Sequence, residues 1–478
     1  MTDQTSGSSK LEAFAYILFW GLILYGFLTQ KKHVLLYILF GVMPFGSFAV
    51  ISPKITGVTL TVAPIVMLIF IARTFLVKDG LNQFVDISLA KNKLLLLFMF
   101  WLTAIFLTLT MPRFFQGDVM VIPMSLSSLY AVPIEPTTQN FTQLVYISIS
   151  ILAVYSFAVF LQDLKMRQHA IKAICLAGFI AIVTGVLDYS SQYVKLDIVL
   201  DAFRNANYGL ATEQMVFKSK RINGLMPEPS AFANLCISLL ATLYFFRRAI
   251  DSQVIREKIA PLLIVALIGM VWLSTSSSGL VGLALFGFLA ITEWAWRARS
   301  NSKNKIAKRG LMVEIVILNI LLIASLTVFL VKPQLFSPII EMFDTMVFKK
   351  TESSSYEERS MWTTVSWQAL LDSYGIGIGL GSTRASNGFV TLTSSVGFIG
   401  AMFYYSFLLQ SFFRKAATSD EYGDVMMTAF RWSFVPPFVV DLLIGTTPDF
   451  GLFNAFRYGL VLAIAIAAMP QKRYRSVY

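Results

Sequence analysis

The sequence predicts an all-α membrane protein, a polytopic helix bundle with about thirteen spans forming a single domain over residues 1–478. Three observations carry that prediction. Hydrophobic residues make up 56% of the chain and charged residues only 14%, where a soluble protein carries about 25% charged residues. Mean hydropathy is +0.68. The apolar residues fall in runs of about twenty, the length at which a helix crosses a bilayer with its backbone groups satisfied internally. This composition excludes a secreted disulfide scaffold, a disordered chain and a cytosolic enzyme.

Taken in order, spans are expected near 12–29, 33–51, 55–77, 93–111, 141–162, 169–187, 229–246, 259–275, 279–296, 311–331, 390–413, 425–445 and 451–469. No small-residue cleavage site follows the first run, so it reads as a span and not as a removable signal peptide. Cys175 and Cys236 both lie inside apolar runs and read as small buried hydrophobes with no disulfide between them.

Net charge is +12, yet the basic residues are scattered through short loops, which argues against nucleic acid as a partner. Lys31, Lys32, Arg73, Lys78, Lys165, Arg167, Arg247, Arg248, Arg256 and Lys258 fall in one set of loops, joined by the basic run 297–309 and by Arg414 and Lys415. The positive-inside rule puts that set in the cytoplasm. The C-terminus is then inside and, with an odd number of spans, the N-terminus outside. The three longest connections, 112–140, 188–228 and 332–389, fall on the outer side. Long loops are uncommon unless functional, so chemistry is expected there. The stretch 194–203 is amphipathic and suits a short helix along the membrane surface.

The outer side lacks histidine: His33 and His169 both flank cytoplasmic loops. Outer chemistry must therefore run on carboxylates, arginines, hydroxyls and backbone groups. In Arg221-Ile-Asn-Gly-Leu-Met-Pro-Glu228-Pro-Ser230, Glu228 precedes a proline suited to the first helical position. It reads either as an acid matched to the helix dipole or as a general base beside Arg221. Alternating glycines at 375–381 mimic a nucleotide loop but lack a Lys-Ser/Thr partner. They read as a tightly packed or flexible stretch, or as a close backbone approach to a phosphorylated lipid. Arg221, Arg359 and Arg384 are outward guanidiniums able to clamp a pyrophosphate. Thr275-Ser-Ser-Ser-Gly279 reads as a turn whose hydroxyls satisfy helix ends. Asp449 and Arg457 lie near the outer surface, Arg457 within the last span, where charges are costly.

Four patches in this order resemble the bacterial O-antigen ligase/polymerase family: Arg221-x-x-Gly224 before a helix; the serine-glycine junction 276–279; Arg359 followed by Gly377-x-Gly379-x-Gly381; and Ser386-Asn387 followed by Gly397 and Gly400. The resemblance covers roughly 200–410. The ligase branch carries histidine where Ser386 stands and often arginine where Ser277 lies. The Pro227-Glu228-Pro229-Ser230 run is more similar to O-antigen or exopolysaccharide polymerases of the Wzy type.

The resemblance implies a glycosyltransferase-C-like enzyme of lipopolysaccharide or exopolysaccharide biosynthesis in the bacterial cytoplasmic (inner) membrane, active on its outer face. Its substrate would be an undecaprenyl-pyrophosphate-linked oligosaccharide, transferred onto another lipid-linked repeat unit. Glu228, Arg221 and Arg359 are then the expected catalytic residues, with Arg384, Arg204, Asn387, Asp449 and Arg457 as expected substrate contacts. Neither a metal nor another cofactor is expected. Membrane lipids, a chain-length regulator and a flippase of the same pathway are the expected partners. The competing readings are an O-antigen ligase-like transferase and a lipid-oligosaccharide flippase or transporter, although no paired inverted repeat is visible.

Overall fold

The computed structural model describes residues 2–51, 59–124, 130–206, 215–216, 219–300, 304–332 and 354–468, with isolated positions between 334 and 349. Most of the segment 332–353 thus lies outside the described residues.

Every segment expected to span carries a helix. In chain order these are α1 (Thr2–Leu28), α2 (Lys32–Val42), α3 (Val62–Phe75), α5 (Leu95–Phe114), α6 (Thr138–Phe160), α7 (Leu164–Ser190) and α9 (Pro229–Phe246), with α4 (Gly80–Ser88) and α8 (Asp197–Asp201) as short connectors. The series continues with α10 (Ala260–Leu273), α11 (Ser277–Arg299), α12 (Leu311–Val331), α13 (Ser354–Asp372), α14 (Gly388–Phe413), α15 (Glu421–Ile444) and α16 (Gly451–Ala467). Among the described residues, eight helices are long and apolar enough to cross a membrane: α1, α5, α6, α7, α9, α11, α14 and α15. The protein is therefore an all-α, multi-pass membrane protein. Four of the expected spans are shorter helices, of 11 residues in α2, 14 in α3, 14 in α10 and 17 in α16.

Helix α16 is the centre of the bundle. Its residues from Ala455 to Ala465 are all buried, as expected of a helix apolar on every side. In lipid there is little hydrophobic drive between helices, so close packing must hold them. Gly459 supplies such an approach: a Cβ there would meet the Phe157 Cβ of α6 at 2.4 Å. Tyr404 of α14 and Tyr458 of α16 join hydroxyls at 3.1 Å beside it. Cys175 and Cys236 are buried and free.

Three features depart from the expected outline. The segment 112–140 contains a small antiparallel hairpin, Met120–Val121 against Val132–Pro133. The segment 332–389, expected as a long connection, contains the 19-residue α13. The glycine stretch is threaded into the bundle against a broken helix. Within α14, Gly397 has φ 66° and ψ −179°, which interrupts the helical ladder. The freed groups are met by the glycine stretch: Ile378 N–H donates to Ser394 O and Gly379 N–H to Ser395 O, both at 2.9 Å, while Phe398 N–H donates to Gly375 O at 3.0 Å. A Cβ on Gly377 would lie 2.4 Å from Gly397 N. These glycines are there because backbone packs on backbone, which is the tightly packed alternative of the sequence reading.

Candidate functional site

The N-terminal ends of four helices meet around one cavity of about 470 Å³. Helix α9 contributes Glu228, Pro229 and Ser230; α11 contributes Ser276, Ser277 and Ser278; α13 contributes Ser355 and Tyr356; α14 contributes Ser386 and Asn387. Arg221 and the next turns of α13, with Arg359, Ser360, Thr363 and Thr364, close the wall. Helix N-termini carry partial positive charge and unsatisfied N–H groups. Four of them with two arginines make a site suited to an anion, and the hydroxyls add donors and acceptors for a polyhydroxylated ligand.

Among the described residues, Glu228 is the one carboxylate on the lining. Its backbone is extended, φ −150° and ψ 159°, with proline next at the helix start, as the sequence predicts. Its side chain makes no capping hydrogen bond to the helix. One oxygen accepts from the Ser230 hydroxyl; the other lies 3.8 Å from an Arg359 nitrogen, with both side chains over a third exposed. The carboxylate is thus held near a cation without being hydrogen-bonded to it.

Arg221 lies deeper. Its Nε donates to Ser274 O at 3.3 Å. Burial lowers its pKa, opposed by the charge of Glu228 and reinforced by Arg359. Arg384 stands just behind this wall. Burial lowers its pKa too, with Glu228 and Glu358 opposing and Arg359 adding to the shift. Its guanidinium stacks 4.0 Å over the ring of Trp362, a cation–π contact that fixes its orientation. Arg221, Glu228, Arg359 and Asn387 therefore share one cavity, with Arg384 beside it. Asn387 also caps α14, its Oδ1 accepting from Val390 N–H at 3.1 Å.

Three expected contacts stand elsewhere. Arg204 is a brace: it pairs with Asp188 at 2.9 Å and donates to Gly224 O at 2.7 Å. Asp188, fully buried, also accepts from the N–H groups of Asn223 and Gly224 at 2.8 and 3.0 Å. This pair fixes the backbone immediately after Arg221, so Arg204 acts on the site only through that loop. Arg457 is buried between α9, α15 and α16. It donates to Thr242 Oγ1 at 2.9 Å and to the carbonyls of Ser238 and Ser433. In an apolar span its guanidinium is thus solvated by internal hydrogen-bond acceptors. Asp449 accepts from Gly451 N–H at 3.1 Å at the start of α16 and does not line the cavity.

The sequence reading missed three parts of the site. One is Asp188, hidden at the end of an apolar run. Another is the face of α13. Arg359, Trp362, Thr363, Ser366, Ala369 and Leu370 recur at helical spacing, and Trp362, Ser366, Ala369 and Leu370 are buried. That three-to-four residue period was the available signal. The third is the hairpin, whose Ile122 O accepts from Arg384 N–H at 2.8 Å. Inside the wall, the Ser366 hydroxyl bonds Thr383 Oγ1 at 2.8 Å and Ser386 N–H donates to Thr363 Oγ1 at 3.2 Å. These bonds staple the 383–386 segment to α13. Comparison with protein-family models, with curated proteins and with solved structures gives no match.

Proposed function

We propose that the protein is a polysaccharide polymerase of the O-antigen ligase/polymerase kind, with a glycosyltransferase-C-like bundle in the bacterial cytoplasmic membrane. It transfers a glycan from undecaprenyl pyrophosphate onto the sugar of a second lipid-linked repeat unit at the outer face. The observation that carries this reading is the meeting of Arg221, Glu228 and Arg359 with four helix N-termini on one hydroxyl-lined cavity. The outward direction is supported by the basic loops, which lie at the opposite ends of α9, α11 and α15.

The chemistry follows from that arrangement. An acceptor hydroxyl attacks the anomeric carbon, the bond from that carbon to the pyrophosphate oxygen breaks, and the pyrophosphate leaves with the electron pair. Such a leaving group departs as a stabilised anion, so the main demand is fixed positive charge where its charge develops. Arg221 and Arg359 meet that demand with the helix ends, and Arg384 orients the wall behind them. The acceptor hydroxyl loses its proton to Glu228, the one carboxylate on the lining among the described residues.

The test is glycan analysis of a strain lacking the gene, complemented with the wild-type chain or with Glu228→Gln. Single repeat units accumulating on the carrier are expected for both the deletion and the variant. Long unattached chains in the deletion strain would instead indicate a ligase. Repeat units trapped on the cytoplasmic side would indicate a flippase.

A further inference from the structure

At the other end of α9, α11 and α15 a second group of charges is buried. Arg248 grips Glu293 with both terminal nitrogens, at 2.7 and 3.0 Å. Arg297 Nε donates to the same carboxylate at 3.0 Å. Glu314 takes Arg247 and Arg297. Three arginines thus face two glutamates, which leaves one positive charge over.

Two N–H groups are also left over. Arg248 Nε and Arg297 Nη1 have no hydrogen-bond partner among the described residues, although the two side chains are only 5% and 2% exposed. A buried charged donor without a partner is costly and calls for an explanation. The Nε groups of Arg204 and Arg457 are unpartnered too, but neither residue lines a cavity described here. Arg248 and Arg297 do: both border a cavity of about 40 Å³ with Lys308 and Asp424 on its wall. A neighbouring cavity of about 570 Å³ shares Trp296, Ser300, Asp424 and Thr428 with it. That larger space adds Arg431 and an apolar side of Leu289, Trp432 and Val435.

We propose that these paired cavities hold the phosphate-bearing headgroup of an anionic membrane lipid. The phosphate sits beside the surplus positive charge of Arg248, Arg297 and Arg431, and an acyl chain runs along Leu289, Trp432 and Val435. The charge count supports an anion, because Lys308 and Asp424 cancel, the arginine–glutamate group is one negative charge short and Arg431 adds a further positive charge. The apolar side distinguishes a lipid from a free phosphate. Membrane helices meeting a charged pocket at their basic ends offer such headgroup sites generally.

The test uses the full-length protein, purified in a neutral detergent and titrated with phosphatidylglycerol, phosphatidylcholine or sodium phosphate. Lipid adducts are read by native mass spectrometry and thermal unfolding by fluorescence. Phosphatidylglycerol is expected to bind and to raise Tm, while phosphatidylcholine and phosphate leave Tm unchanged. Thr428→Phe fills the junction of the two cavities without touching an ion pair. It should weaken phosphatidylglycerol binding at least tenfold and leave the Tm of the lipid-free protein unchanged. Lys308→Gln, at the rim, should weaken it less. Equal binding of both lipids, an equal shift with phosphate alone, or undiminished binding by Thr428→Phe and Lys308→Gln together would overturn the proposal.

Discussion

Helices α9, α11 and α15 each run between two clusters of charge, and the clusters are built oppositely. At the basic end, Glu293 is 1% exposed and lies 2.7 Å from Arg248. At the other, Glu228 is 39% exposed and 3.8 Å from Arg359. The first carboxylate is buried in a bidentate pair with a second arginine added; the second sits loosely in a cavity ringed by helix N-termini. A buried pair constrains structure, because removing one member strands the other. A loose pair costs little to separate, so both members remain available to a ligand. The comparison teaches that the same residue types are locked into architecture at one end and left accessible at the other.

The strongest way to break that comparison is to make one substitution at both ends. Glu293→Gln should cost about 3–5 kcal/mol, because it leaves Arg248 and Arg297 buried without their carboxylate. The expected readout is a large drop in Tm or the loss of monodisperse protein. Glu228→Gln should cost under about 1 kcal/mol of stability but lower polymer output by roughly a hundredfold or more, the scale of a general base. Normal polymer from well-expressed Glu228→Gln would end its role as base, and an unchanged Tm for Glu293→Gln would end the contrast.

Next in size come the arginines of the cavity. Arg221→Lys and Arg359→Lys keep the charge but lose the planar fork. Each should lose most polymer, measured by chain-length analysis, at normal membrane insertion. Near-normal polymer from both would reduce the cavity to a generic positive field. The smallest effect is expected at an exposed pair. Lys172 and Asp251 lie 2.8 Å apart but are 24% and 49% exposed, so Lys172→Ala should change stability by less than about 1 kcal/mol.

How much of this was legible in the sequence depends on whether a residue's partner is near it in the chain. The helix positions were, since apolar runs and short basic loops are local signals. Glu228 was legible because two flanking prolines fix its backbone, and Arg221 because it stands seven residues before it. Arg359 and Arg384 were read as loop charges without the helix that carries the first, since α13 alternates polar and apolar faces with no long apolar run. Arg204 and Arg457 read the same as the clamp arginines. Only packing reveals that Asp188 holds one and that Thr242 and two carbonyls hold the other. Arg248 and Arg297 were counted as loop charges, yet they are buried partners of a glutamate that lies 45 residues from Arg248.

The break at Gly397 bears on how the chain enters the membrane. A spanning helix with open carbonyls at Ser394 and Ser395 cannot remain in hydrocarbon alone, where each unsatisfied group costs several kcal/mol. The segment that satisfies them, 375–379, precedes α14 in the chain and therefore leaves the ribosome first. Synthesis order thus delivers the patch before the gap it closes, and the two segments satisfy each other's backbone only once packed together. The same neighbourhood ties the 384–386 segment to α13, which carries Arg359.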